Sequence, residues 1–525
     1  MTVPKVLGAD VELGNFVEGV VSSHGSGAAA SKLLLARIDG IPASIAAPSP
    51  GGYGRGGTTV ADAQDWGRKF LPANGACAYI DLDHLEIALP EVRSAFDHVA
   101  YWRAMLQVAR TAAAEANRRL PAGCHVYALA NCSDGHGHSY GAHTNVLLTR
   151  TAWDNIIRRK PHYLAYLIAF QVSSIVFTGA GKVGSENGRP WADFQLTQRG
   201  DFLETILGEQ TTYRRPLVNG RDEPLCAEHL APDDGDVELA RLHVIFFDPT
   251  LCQVATLLRA GTLQIVTAMI EAGFVSPALA LDDPLDALQR WGHDPSLAAR
   301  ARLVERASVT AVELQQRFLE EARRFAQRDG FDGIVPRAAQ ILDLWEDTLG
   351  KLRERDVDAL ARRLDWVLKR RTLERAMASR PSLSWSSHEI RHLDQMFASV
   401  DEGDGLFWAL ERAGLVDTVI GQDQIDRAGR EPPEDTRAWT RAHLLRRAGA
   451  ARVESVDWNL VGVRLARTTH WYAERRTVYL PRPYGATRAE HEALFAGNRP
   501  VEEIVEALQP DGTPMAVTLP TRYLC

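Results

Sequence analysis

The stretch YIDLDHLEIALPE, residues 79–91, has the β-branched and apolar content of a buried strand, yet it carries Asp81, Asp83, His84 and Glu86. Burying a carboxylate without a partner costs several kcal/mol in practice, so the fold must compensate for these acids. A metal ion, a cluster of arginines or plain exposure would each do so. Tyr79, Asp81 and Asp83 share one face of an extended strand because side chains alternate. Glu86 has the opposite parity, so it can join Asp81 only if a turn or bulge lies between 82 and 85.

A second acid-bearing strand is predicted at residues 5–13, KVLGADVEL. Asp10 and Glu12 point to one face and Val11 and Leu13 to the other. Two adjacent carboxylates repel, which makes a divalent cation between them one outcome and solvent-exposed strand-end acids the other. These donors are all oxygens and favour Mg²⁺ or Mn²⁺ over zinc. His136, His138 and His143 in SDGHGHSYGAH offer a zinc reading, but no cysteine or second histidine pair lies at the required spacing.

Arg199, Arg214, Arg215, Arg221 and Arg241 are spread over three nearby segments. Converging guanidinium groups suit a triphosphate, whose oxygens they bind bidentately; surface salt bridging is the alternative. The run GAGKVG at 179–184 fits the dinucleotide fingerprint GxGxxG. The SENGRPWADF that follows cannot open a helix, so the strand–turn–helix context is missing.

Lys plus Arg is 59 and Asp plus Glu is 67, a net −8 that gives no electrostatic reason to expect nucleic acid or an anionic membrane as partner. Six cysteines without a CxxC pair read as free thiols in a reducing cytosol. The N-terminus has no signal pattern, and no run approaches the roughly 20 apolar residues that span a bilayer, so a cytoplasmic protein is expected. Helices are predicted at 94–119, 153–176, 249–273 and, as a dense platform, 296–380. Short strands from about 450 predict a small separate module. The Gly- and Pro-rich run at 47–60 reads as a lid or binding loop, or as a tolerated insertion.

Taken in order, GADVELG (8–14), NGACAYIDLDHLEIALPE (74–91), NCSDGHGHSYGAHTN (131–145), FTGAGKVG (177–184), FQLTQRGDFLE (194–204), TTYRRPLVNGRDEP (211–224), ARLHVI (240–245) and VDW (456–458) resemble the family of Pup ligase and the deamidase/depupylase of Pup, accessory enzymes of the bacterial proteasome. The resemblance implies an α/β (α+β) fold. A glutamine-synthetase-like catalytic domain (1–445), with a curved, mainly antiparallel sheet packed by helices, would cradle ATP and Mg²⁺ and precede a small C-terminal domain (446–525). It implies Asp81 as catalytic aspartate and Asp10, Tyr79 and Glu86 at metal positions. Glu12, His143 and His243 would line the metal and phosphate region, with Arg241 among the nucleotide-binding residues. Arg199 and Arg221 would contact phosphate, and Trp458 would lie near the nucleotide. The expected partner is a Pup-like modifier and its conjugates.

Glu86 follows Asp81 by five residues, as in the deamidase branch, whereas the ligase branch has one more. The loop at 47–60 and TGAGKVG also resemble that branch. Amide or isopeptide hydrolysis is therefore the expected reaction, with ligation through a γ-glutamyl phosphate and a non-catalytic tag-binding adaptor as alternatives. Four positions depart from the family pattern: Asp10 stands for Glu, Cys77 for Arg, Leu85 for Pro and Thr144 for Glu. A shortened ligand and a lost arginine predict altered metal or ATP affinity and a divergent branch whose tag is Pup or a Pup-like protein.

Overall fold

Alternation along the first strand decides the architecture. The computed structural model describes residues 2–19, 26–42, 66–226, 237–465 and 475–508. The main sheet has eight strands: β1 (Leu7–Glu18), β2 (Ile41–Pro42), β3 (Trp66–Phe70), β4 (Cys77–Asp81), β5 (His84–Ala88), β6 (His125–Leu129), β7 (Ala142–Thr149) and the strand Leu239–Val244. Across the sheet the order is Leu239–Val244, β7, β1, β5, β4, β3, β2, and β6 pairs with the second half of β1. These ladders are all antiparallel.

Leu7, Ala9, Val11 and Leu13 of β1 are buried in the main core beside Leu85, Ile87 and Leu89. That face packs on helices, among them Ala95–Asn117 and Gln253–Glu271. Asp10 and Glu12 project from the other face. A one-residue slip of β1 would exchange the two sets, forfeiting roughly 1.5–3 kcal/mol per apolar side chain and moving two carboxylates into the apolar core, so burial pins the register.

The predicted helix at 94–119 forms as Ala95–Asn117, with the Ser94 hydroxyl capping Phe96 N–H. The segment expected at 153–176 is broken: Arg150–Asp154 runs into a π-turn, and Pro161, which lacks an N–H and so suits a first helical turn, starts Pro161–Thr178. The platform begins later than expected. Residues Ala301–Arg302 and Ser308–Val309 form a small β pair, and the first long helix starts at Ala311 behind a Thr310–Glu313 capping box. Another expectation is corrected by Gln253–Glu271, which is long and apolar enough to cross a bilayer by length and composition; its apolar window is wholly buried inside the fold. The run 47–60 lies outside the described residues.

Strands Val453–Asp457, Leu460–Arg464 and Arg475–Tyr479 form a separate antiparallel sheet. Its Val456, Val461, Val463 and Val478 share a second core with Leu444, Leu445, Val501, Ile504 and Val505, and also with Phe70, Cys77 and Ala88 of the main sheet. The C-terminal sheet thus covers the open end of the β4–β5 hairpin and leaves the hairpin tip to the cleft.

Candidate active site

The hairpin tip consists of two residues, Leu82 (φ 43°) and Asp83 (φ 74°), both in the left-handed region that two-residue hairpins favour. This turn restores the parity: Asp81 pairs with His84 and Tyr79 with Glu86, so all four face the same side. Glu86 also pairs with Glu12 on β1, and Asp10 pairs with His143 on β7. Ligand oxygens of Glu12, Asp81 and Glu86 all lie within 4.8 Å of one another. Leucine is strained at positive φ, so Leu82→Asn is expected to stabilise the fold by about 1 kcal/mol, read as a higher denaturant midpoint with unchanged slope.

These side chains floor an open cleft of about 1070 Å³. Glu86 is buried, and that burial, with the charges of Asp10 and Glu12, pushes its carboxyl well above the usual range; the hydrogen bond from Tyr79 opposes the rise, and Asp81 adds to it. Three carboxylates this close, one of them destabilised as an anion, form an oxygen-only donor set that fits a divalent cation.

Asp10 takes a different part. Its Oδ1 lies 2.8 Å from His143 Nδ1, and Asn145 Nδ2 reaches its Oδ2 at 3.5 Å. Burial alone would raise its carboxyl, but His143, Arg241 and Asn145 hold it below the ordinary value. His243 is fully buried, and burial together with His143, Arg241, Arg221 and Arg199 depresses its imidazole far below the ordinary value, favouring the neutral ring. Its Nδ1 lies 2.8 Å from Asn145 Oδ1, to which Arg241 donates at 2.7 Å. The structure thus gathers Glu12, Asp81 and Glu86 as the convergent oxygens, with Tyr79 hydrogen-bonded to Glu86 and the Asp10–His143 pair alongside.

Arg221, Arg241, His243 and Trp458 line the cleft, as do Arg68 and Arg215. Arg199 does not line it: it is 1 % exposed, and its guanidinium donates to the Tyr140 carbonyl behind the wall. At Gly141, next in the chain, a Cβ would lie 2.4 Å from the His143 ring and 2.6 Å from Glu12 Oε1 and would have to displace those site side chains. Of the three glycine-rich-loop histidines, His143 pairs with Asp10, whereas His138 is exposed and bonds Asp134 at 2.7 Å. Sequence reasoning passed over Arg68, which lies 4.3 Å from the Tyr79 ring centroid, and Glu91, which lines the cleft and pairs with Arg437 and Arg441. The alternating RKF of β3 was the available signal for the former.

The four departures separate by face. Leu85 and Thr144 are fully buried and do not line the cleft. Leu85 N–H donates to Asn15 Oδ1 at 2.8 Å, a bond that proline could not make. Cys77 is sealed under the C-terminal core, which leaves Asp10 as the departure that touches the cleft.

An antiparallel sheet with helices on one face, and on the other an acidic floor flanked by arginines, defines a cleft whose lining suits a cation and a charged ligand. Residues 44–462 match the family described as Pup-ligase protein, and the chain belongs to that family. It is 37 % identical over 393 residues to the depupylase of Acidothermus cellulolyticus, covering 74 % of each chain. To the Pup–protein ligase of Acidimicrobium ferrooxidans it is 35 % identical over 402 residues, covering 75 % of this chain and 84 % of that protein. The fold matches the structure of the Pup ligase PafA in complex with ADP with a TM-score of 0.69 and 25 % identity, covering 86 % of this chain and 90 % of that one.

Proposed function

We propose that this chain is an Mg–ATP-dependent amidase or isopeptidase acting at the C-terminal Gln or Glu of a Pup-like modifier, with Asp81 as its catalytic residue. The observation that carries this reading is the two-residue turn at Leu82–Asp83, which sets Asp81 beside Glu12 and Glu86 and leaves the five-residue spacing typical of the deamidase branch. Glu12, Glu86 and Asp81 would hold the cation, with Tyr79, Asp10 and His143 around it. The bound cation would neutralise phosphate charge and the oxyanion that develops at the scissile carbonyl.

Trp458, Arg221, Arg241 and His243 would bind the nucleotide, and Arg199 would support that wall from behind. The ADP bound by the related PafA supports a nucleotide in this reading. Residues 1–445 would form the catalytic unit, and the C-terminal residues 446–525 would supply Trp458. Asp81 would take a proton from a water that adds to the carbonyl carbon and pass it to the amine as the C–N bond breaks, leaving the carboxylic acid; or it would attack the carbon itself, the amine leaving with a proton from water, and a further water would hydrolyse the resulting aspartyl anhydride to the acid and free Asp81.

Intact-mass spectrometry tests the proposal on a glutamine-ended tag and on a tag–protein conjugate, each with and without Mg–ATP. Conversion of Gln to Glu, or release of the tag, is the expected result. The ligase-named relative favours a second reading, ligation. Conjugate formed from a glutamate-ended tag with matching ADP, and no hydrolysis, would establish that reading instead. Binding of the tag without either reaction would make the chain an adaptor. Mg²⁺ is also expected to raise the melting temperature, since saturation at roughly 100 times Kd adds about 2.7 kcal/mol. Glu12→Gln should remove most of that increment.

A further inference from the structure

The GAGKVG segment, which makes no dinucleotide loop, contributes Lys182, whose side chain is 3 % exposed. Its ammonium pairs with Glu186 at 2.8 Å and with Asp201 at 3.1 Å. Asp201 is well supplied with other partners. It accepts from Glu186 N–H at 2.8 Å and from Gln195 Nε2 at 2.8 Å, and it lies 3.1 Å from His293 Nε2.

Glu186 also reaches out of this ionic knot. Its Oε1 accepts Gly137 N–H at 2.8 Å, and its Oε2 accepts the Ser133 hydroxyl. Gly137 adopts φ 99°, and a Cβ there would meet nothing within 4 Å, so no neighbour packs on the loop from that side at Gly137. The tip's other hydrogen bonds, among the described residues, are local, with Asp134 accepting from His136 and His138, except at its far end, where the Ser139 carbonyl accepts from Arg215.

The tip is a wall of the cleft: Gly137, His138 and Ser139 line it next to Asp81, Leu82 and His84. Tyr140 stacks on His84 with centroids 4.3 Å apart, and the Ser139 carbonyl accepts Arg215 at 2.5 Å. The opposite end carries Trp458 and Tyr479, whose aromatic faces suit a nucleotide base. The end at the hairpin tip is therefore left for the acyl part of the substrate.

We propose that Glu186 is a positioning residue that tethers the 133–139 loop to the Lys182–Asp201 knot and so fixes the wall against which the acyl substrate lies beside Asp81. This rests on the hydrolase reading for its substrate, while the tether itself rests on geometry alone. Glu186→Gln keeps one acceptor oxygen for Gly137 N–H and places an amide that can donate to the Ser133 hydroxyl, and it leaves Lys182 paired with Asp201; Glu186→Ala removes both loop contacts.

Hydrogen–deuterium exchange of peptides covering 134–139 should accelerate about tenfold in Glu186→Ala and stay near wild type in Glu186→Gln, with β7 peptides unchanged. In hydrolysis, Glu186→Ala should raise KM for the tag about tenfold with nucleotide Kd unchanged, and Glu186→Gln should restore it. Unchanged loop exchange in Glu186→Ala overturns the tether whatever the activity. Faster exchange with an unchanged KM overturns the positioning role. If the wild type proves inactive, the hydrolase reading fails while the exchange result still decides the tether. Ser133→Ala cuts the bond to Glu186 from the other side, together with the local bond from Gly135 N–H to the same hydroxyl; exchange at the Gly137 amide, which Ser133 does not touch, should accelerate about threefold, and that amide supplies the same decision if Glu186→Ala does not fold.

Discussion

Replacing Asp81 by asparagine is expected to lower kcat for amide hydrolysis at least about 10³-fold while nucleotide Kd stays within about threefold. The substitution keeps the side chain's size at the hairpin tip but removes the charge and the proton-accepting oxygen. Glu12 and Glu86, the other two convergent carboxylates, remain to hold a cation. Arg221, Arg241 and Trp458 remain along the cleft for phosphate and base. Single-turnover assays beside calorimetric nucleotide titration separate the two quantities. Retention of more than a tenth of wild-type kcat would move the proton transfer to another group. His84 would then be next, since it pairs with Asp81 across the turn and is anchored through Nδ1 to the Leu13 carbonyl at 2.9 Å.

Alternation alone was enough to put Asp10 and Glu12 on one face and Val11 and Leu13 on the other, because period-two burial leaves a direct trace in the chain. The place of Glu86 needed a turn whose residues, Leu82 and Asp83, carry none of the usual Asn-Gly chemistry; its positive φ values are a tertiary demand, and strand parity was the clue. Depth was not legible. Arg199 and Arg221 look alike in sequence, yet one is sealed behind Tyr140 and the other lines the cleft. Nor does spacing show that Thr144 and Leu85 turn to the helices while Asp10 turns to the cleft. The apolar helix Gln253–Glu271 was recognised as a helix, but its central burial depends on packing from distant segments. The role of Glu91 is not legible in the sequence because its partners lie some 350 residues away.

That long-range contact carries the other large effect. Glu91→Ala is expected to destabilise the fold at pH 7 by roughly 3–5 kcal/mol, the usual cost of leaving buried partner charges unpaired. Glu91 accepts Arg437 Nε at 2.6 Å and Arg441 at 2.6 and 3.0 Å, and the two guanidinium side chains are 3 % and 0 % exposed. Arg441 also donates to the Trp458 carbonyl at 2.8 Å and the Gly75 carbonyl at 3.0 Å, and Arg437 donates to the Leu480 carbonyl at 3.0 Å. The triad therefore joins the helix Ala438–Ala448 and the C-terminal sheet to the main sheet, next to Trp458. Burial alone would raise the Glu91 carboxyl, but the two arginines outweigh it and hold the group down to about 2 from 4.5. The folded state thus favours the anion. Its stabilisation, about 3 kcal/mol, is complete above pH 4.5 and is lost as pH falls through about 2. Urea titrations at pH 7 and pH 3 should accordingly show a smaller penalty for Glu91→Ala at the lower pH, by about 2 kcal/mol, because the wild type has by then lost much of what the variant lacks. A penalty below about 1 kcal/mol at pH 7, or one independent of pH, would mean that the apolar core around Phe70, Val456 and Val478 holds the C-terminal sheet in place by itself.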